Sequence, residues 1–154
     1  MAMTVRFSPG GVLRVPAGGA RSAYALMLGV RPYVAFFADE QIELVGFPGV
    51  PEMNPLFVIA VHNKAYSRGR WGPILHRINT DALPDVPSFF RQNVLNFQDC
   101  GITDAFGQVR QATPEECIGL ERSAVWEAEH VEQRISDLYS GRPNLFVESM
   151  KVKL

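Results

Sequence analysis

Short apolar runs broken by glycine and proline fill residues 7–112, and helical spacing begins only at residue 113. Residues 12–16 read as a first strand, residues 21–30 as a second and residues 33–38 as a third. In the second, Tyr24, Leu26 and Leu28 share one face, and Ala23, Ala25 and Met27 share the other. The third is apolar throughout, which predicts cover on both faces. A short strand is expected at 42–45, followed by an irregular loop at 47–55 with three prolines, Pro48, Pro51 and Pro55. Residues 56–62 read as a buried strand, and residues 70–79 as its hairpin partner, with Pro73 marking an edge or a bulge. Phe89 and Phe90 are expected to anchor a proline-interrupted loop, residues 91–99 to form a strand in preference to a short helix, and residues 105–109 a tight turn leading into another strand.

Residues 113–144 carry the most complete set of local signals. Thr113-Pro114-Glu115-Glu116 has the form of a capping box, with proline at the first helical position and two acids in the first turn. From there Cys117, Ile118, Leu120, Ala124 and Val125 fall on one apolar helical face, with Glu121 in its middle. Glu121 reads either as a half-exposed acid paired with Arg122, Arg134 or a strand arginine, or as a buried polar anchor. A kink near Trp126-Glu127 starts a second helical frame through Ala128, Val131, Ile135, Leu138 and Tyr139, with Glu129, Glu132, Gln133, Ser136 and Asp137 facing away. Gly141 and Pro143 stop it, and residues 145–154 read as a closing strand. The fold class expected is α+β. A strongly bent antiparallel sheet or small barrel-like β body (7–112) carries two helices (113–141) and a final strand (145–153), all in one domain over 1–154.

Composition adds little to this, but charge placement does. Hydrophobic residues at 47% and charged residues at 20% are ordinary for a globular domain, and 154 residues suit one core. The net charge of −1 does not advertise nucleic acid or membrane as a partner. It divides unevenly: residues 113–137 hold seven acids and two bases, a local −5, against +2 on either side. No leader pattern or membrane-length apolar run is visible, so cytoplasmic residence is expected.

Candidate chemistry is sparse. His62 and His76 fall on strands expected to be neighbours, but a third metal ligand is missing and no HxH or CxxC spacing supplies it. His130 is expected to be solvated on the acidic helix. Cys117 reads as a small core residue and Cys100 as a loop residue; spacing leaves a disulfide between them open, and a Cys100–His76 nucleophile pair has no local signature. Asp39 with Glu40, or Glu115 with Glu116, are the available acid pairs, the second better explained by capping. Arg68-Gly69-Arg70-Trp71 pairs basic and aromatic side chains as single-stranded nucleic-acid sites do, but a hairpin turn has the same composition. No phosphate loop, dinucleotide fingerprint or nucleophile elbow is present, and the reading calls for no cofactor and no catalytic residue.

Several stretches together resemble the immunity protein 26 family of bacterial polymorphic toxin systems. They are Phe7 with Gly10-Gly11-Val12-Leu13-Arg14-Val15-Pro16, the run from Ser22 through Tyr24 to Gly29, and Tyr33-Val34-Ala35-Phe36-Phe37. Leu56 to Val61 with Gly69-Arg70-Trp71, and Pro87 through Phe89-Phe90 to Gln92, complete the set. Gly11 departs from the pattern, standing where an acid is common in the family. The resemblance covers about residues 7–95. It implies a non-catalytic cytoplasmic protein that binds and neutralises a cognate toxin domain. Where such a toxin is a nuclease with a basic cleft, an acidic surface would steer onto it. Glu115, Glu116, Glu127, Glu129, Glu132 and Asp137 are the partner-binding residues expected on that basis. A ligand-binding or structural β-barrel of unknown partner is the alternative reading, and a hydrolase the third.

Overall fold

Alternation along four consecutive strands decides the centre of the molecule. In a computed structural model, which describes residues 3–154, β1 (Gly11–Pro16), β2 (Ser22–Met27), β3 (Tyr33–Ala38) and β4 (Phe57–Val61) form an antiparallel meander. Because side chains alternate, registered rows alternate too. Leu13, Ala25, Phe36 and Phe57 lie in one row and face one core, with Val15, Met27, Val34 and Ile59 beside them. The adjacent row, Val12, Leu26, Ala35 and Val58, faces a second core. The two faces expected for the second strand separate as read, and β3 is buried on both sides.

Each face has its own cover. Helix α1 (Asp39–Val45) and the 3₁₀ segment Phe47–Glu52 cap the second core through Ile42 and Val50. The expected strand at 42–45 is therefore a helix. Asp39, Glu40 and Gln41 suit a helical first turn, and Asp39 Oδ1 accepts the Glu40 N–H at 2.8 Å. Over the first core lies α2 (Ala128–Ser140), burying Ala128, Val131 and Ile135. Gly141 ends α2 in the left-handed conformation (φ 68°), as its glycine predicts. Leu138, expected on the buried face, is exposed, and Asp137, expected to face away, is buried.

The hairpin expected at 70–79 does not form. Only β5 (His76–Arg77) is extended, and it pairs with β1 at the opposite edge from β4. Trp71 instead turns into the first core, edge-on to Phe36 at 6.0 Å between ring centroids. A second sheet is built from β6 (Phe89–Gln92), β7 (Cys100–Thr103) and β8 (Val109–Ala112). Thus the strand expected over 91–99 stops at Gln92, and β7 lies beyond it. With β9 (Glu121–Arg122) and β10 (Val125–Trp126) at their edges, both sheets are open and neither closes into a barrel; the orders are β10-β4-β3-β2-β1-β5 and β8-β7-β6-β9.

The two remaining strands overturn the first expected helix. After one 3₁₀ turn, Glu115–Cys117, the chain extends into β9 (Glu121–Arg122) and then β10 (Val125–Trp126). β9 joins the small sheet parallel to β6, and β10 joins the large sheet parallel to β4. The capping box does form: Thr113 N–H donates to Glu116 Oε1 at 3.1 Å, and Glu116 N–H to Thr113 Oγ1 at 3.3 Å. It caps a single turn because Gly119 adopts a left-handed conformation (φ 87°) that leaves the helix. Two open sheet edges supply the backbone partners that a helix would have supplied itself. The closing strand is likewise replaced by α3 (Leu145–Met150), whose Val147 N–H donates to the Asn144 side chain at 2.9 Å.

Candidate functional site

The six acids expected to face a partner have separate fates. Glu132 donates nothing and accepts much: Arg70 Nε and Nη2 reach its two oxygens at 2.8 and 2.9 Å, and Trp71 Nε1 donates to it at 2.9 Å. Burial raises the Glu132 carboxyl, but the Arg70 and Trp71 donors outweigh it and hold the group below its ordinary range. Glu129 shares Arg70 at 3.3 Å. Glu116 is held low first by the Thr113 N–H and then by Arg110. Asp137 accepts from Gln133 and Asn144, each at 2.9 Å, and lies 3.4 Å from Arg142. Only Glu115 and Glu127 among the six have no salt bridge to another described residue. The −5 of the segment is thus largely balanced by arginines from elsewhere in the chain. Arg70 and Trp71 are committed to this balance, so the basic–aromatic run at 68–71 does not present a stacking surface for bases.

Glu121 resolves as the paired acid. Arg134 Nη1 and Nη2 donate to its two oxygens at 2.9 and 2.8 Å, a two-pronged bond from α2 to β9. The Arg134 guanidinium is itself buried, 3.9 Å from the ring centre of Phe57 and 5.0 Å from that of Trp126. This pair fastens the 113–126 crossing to the helix.

Beside it lies a half-open cleft of about 450 Å³, walled on one side by residues 117–122 and Trp126 and on the other by α3 and the residues after it. Its wall is mainly Ile118, Leu120, Val147, Met150 and Val152, with Trp126 also lining it. Trp126 is 2% exposed, and its Nε1–H finds no acceptor among the described residues. A buried donor left unpaired costs about 1–3 kcal/mol, so this position is anomalous. Sequence reasoning missed it, because the expected helix placed Trp126 at a kink.

A third feature is the β6–β7 connection, residues 93–99. It exposes Val94 (80%), Leu95 (94%) and Phe97 (44%) in close succession. Asparagines hold its shape: Asn93 Oδ1 accepts from Leu95 N–H at 2.8 Å, Asn96 Oδ1 from Gln98 N–H at 3.2 Å, and Asp99 O from Asn93 N–H at 2.9 Å. Gln92 Nε2 ties it down by donating to Phe97 O at 2.9 Å and Lys153 O at 2.6 Å.

The remaining candidates separate. His62 accepts from the Lys64 N–H at 3.2 Å, and His76 stacks on Phe47 at 4.9 Å. Their strands lie four spacings apart, roughly 19 Å, not side by side as expected. Among the described residues no cluster of three His, Cys, Asp or Glu could hold a metal. His130 stacks on Phe146 at 4.2 Å while remaining exposed. Asp39 is bound to Arg21 and to the N–H groups of Ser22 and Glu40. Cys100 and Cys117 are both free, buried thiols in the small-sheet core, and burial with the neighbouring Cys100 pushes the Cys117 thiol up. Raised in this way, the Cys117 thiol holds little thiolate and is a poor nucleophile. No described helix is long and apolar enough to cross a membrane. Comparison of the chain with protein-family models, curated proteins and solved structures finds no match.

Proposed function

We propose that this is a non-catalytic immunity protein, akin to the immunity protein 26 family, that binds and neutralises a cognate toxin domain in the cytoplasm. The observation that carries the reading is the 93–99 connection: three large apolar side chains held out from the surface by a turn network that fixes their geometry beforehand. Preorganised apolar anchors of this kind bind with little ordering cost, and a partner's pocket is what would bury them. The residues that carry the resemblance support it from behind, since they make up the four-stranded meander, the Trp71 anchor and β6, the strand that leads into this loop.

Charge has a narrower part than the −5 total implies. Glu115 and Glu127 carry unpaired carboxylates that would steer a basic toxin, with Glu129 contributing from its weaker bond to Arg70. Glu116, Glu132 and Asp137 serve mainly to hold the fold. The test is co-expression with the toxin-domain protein encoded beside it, scored by rescue of growth and by co-purification. Reversing Glu115 and Glu127 to lysine is expected to slow association and weaken its salt dependence while the complex still forms. Loss of rescue only when Glu132 is replaced would point to folding, and absence of any complex would overturn the proposal.

A further inference from the structure

We infer that the cleft beside Trp126 is a ligand site that takes a small amphipathic carboxylate: an apolar chain ending in an acid, independent of any toxin partner. Three observations converge on that chemistry. The walls are aliphatic over most of their area, which suits a hydrocarbon body, and a volume of about 450 Å³ lies within the usual range for small-molecule sites. The Trp126 indole lines the cleft and carries a buried N–H with no acceptor among the described residues. Charge then decides which acceptor.

Of the charged groups that line the cleft, Glu121 has both oxygens bound by Arg134, and Lys151 pairs with Glu148 at 3.0 Å. Arg122 is different. Its Nε donates to Met150 O at 2.9 Å, its Nη2 reaches Lys151 O at 3.4 Å, and its guanidinium lies over the Phe90 ring at 4.7 Å. No carboxylate of the described residues pairs with it. A guanidinium fixed in place by carbonyls and lacking an anion, in the lining of the same apolar cleft as Trp126, favours a carboxylate over a neutral acceptor.

The experiment uses the full chain labelled with ¹⁵N, titrated separately with decanoate and with decanol below their aggregation limits. The two tryptophans are Trp71 and Trp126, and they make the readout self-controlled. Trp71 Nε1 already donates to Glu132, so its indole signal is expected to stay fixed. The Trp126 indole signal is expected to move downfield and saturate with decanoate. Arg122→Gln is expected to weaken decanoate about tenfold and leave decanol nearly unchanged. Met150→Trp, which fills the cleft from a half-exposed position, is expected to abolish both responses. A Trp126 signal that never moves overturns the inference. So does movement of both indoles together, which marks general loosening, or equal weakening of both probes by Arg122→Gln.

Discussion

β2 and β3 each have a strand on either side and a packed core on either face, whereas β9 and β10 are two residues each and sit at sheet edges. In the meander no single contact decides the outcome, because every side chain is one of many in a filled row. In the crossing from Thr113 to Trp126, a few groups carry the attachment: the Glu121–Arg134 pair, the Trp126 ring, and single backbone bonds such as Ser123 N–H to Phe90 O at 2.8 Å. The difference teaches where the molecule is robust and where it can give. The cleft, the unpaired indole and α3 all belong to the sparsely held side.

The sharpest way to break that comparison is Glu121→Ala. It leaves Arg134 charged and buried between two rings, and is expected to lower unfolding free energy by about 2–4 kcal/mol in urea titration, the half-exposed carboxylate keeping the loss below that of a fully buried pair. The double change Glu121→Leu with Arg134→Met should restore much of it, since it removes the stranded charge. If Glu121→Ala is neutral, the crossing is held by something other than this pair.

A second effect separates the two regions by pH. Asp39, the first residue of α1, is held below the ordinary carboxyl range first by the Arg21 hydrogen bond, against burial, with the Ser22 and Glu40 N–H groups adding to it. A depressed native carboxyl stabilises the fold above its unfolded value, near pH 3.9, and loses that contribution as pH falls through the lower native value. Asp39→Asn is therefore expected to lower stability at neutral pH and to flatten its decline as pH falls below about 4, read from urea midpoints. An unchanged acid limb would contradict this.

The smallest of the stability effects concerns capping. Thr113→Ala removes one side of a box that serves only a single turn, so a loss of about 0.5–1 kcal/mol is expected, well below that of Glu121→Ala. A larger loss would mean that local capping, and not the cross-sheet pair, fixes this segment.

The same contrast explains what could be read from the chain. The first three strands of the meander were legible because period-two burial and tertiary packing agree there: Tyr24 and Leu26 on one face, Ala25 and Met27 on the other; β4 was legible as a strand but not as the partner of β3. α2 was legible for its spacing and for Gly141. Residues 113–126 were misread because their signals are local and true, yet answer the wrong question. Thr113 and Glu116 do cap a turn, but helical spacing of Cys117, Leu120 and Ala124 cannot reveal that two sheet edges compete for the backbone beyond Gly119. Asn144 as an N-cap was readable and would have indicated α3. Of the candidate site, the acids were found, but not their partners, because Arg70 lies 62 residues from Glu132. The exposed loop at 93–99 was hidden inside an expected strand, although its asparagines signalled turns.

Binding through that loop is the central claim, and one variant addresses it directly. Leu95 is almost wholly exposed, so Leu95→Asp should leave thermal stability within about 0.5 kcal/mol. Calorimetric titration against the proposed toxin partner should then show affinity falling at least about 30-fold relative to the unsubstituted chain. Equal affinity for the two would contradict the account.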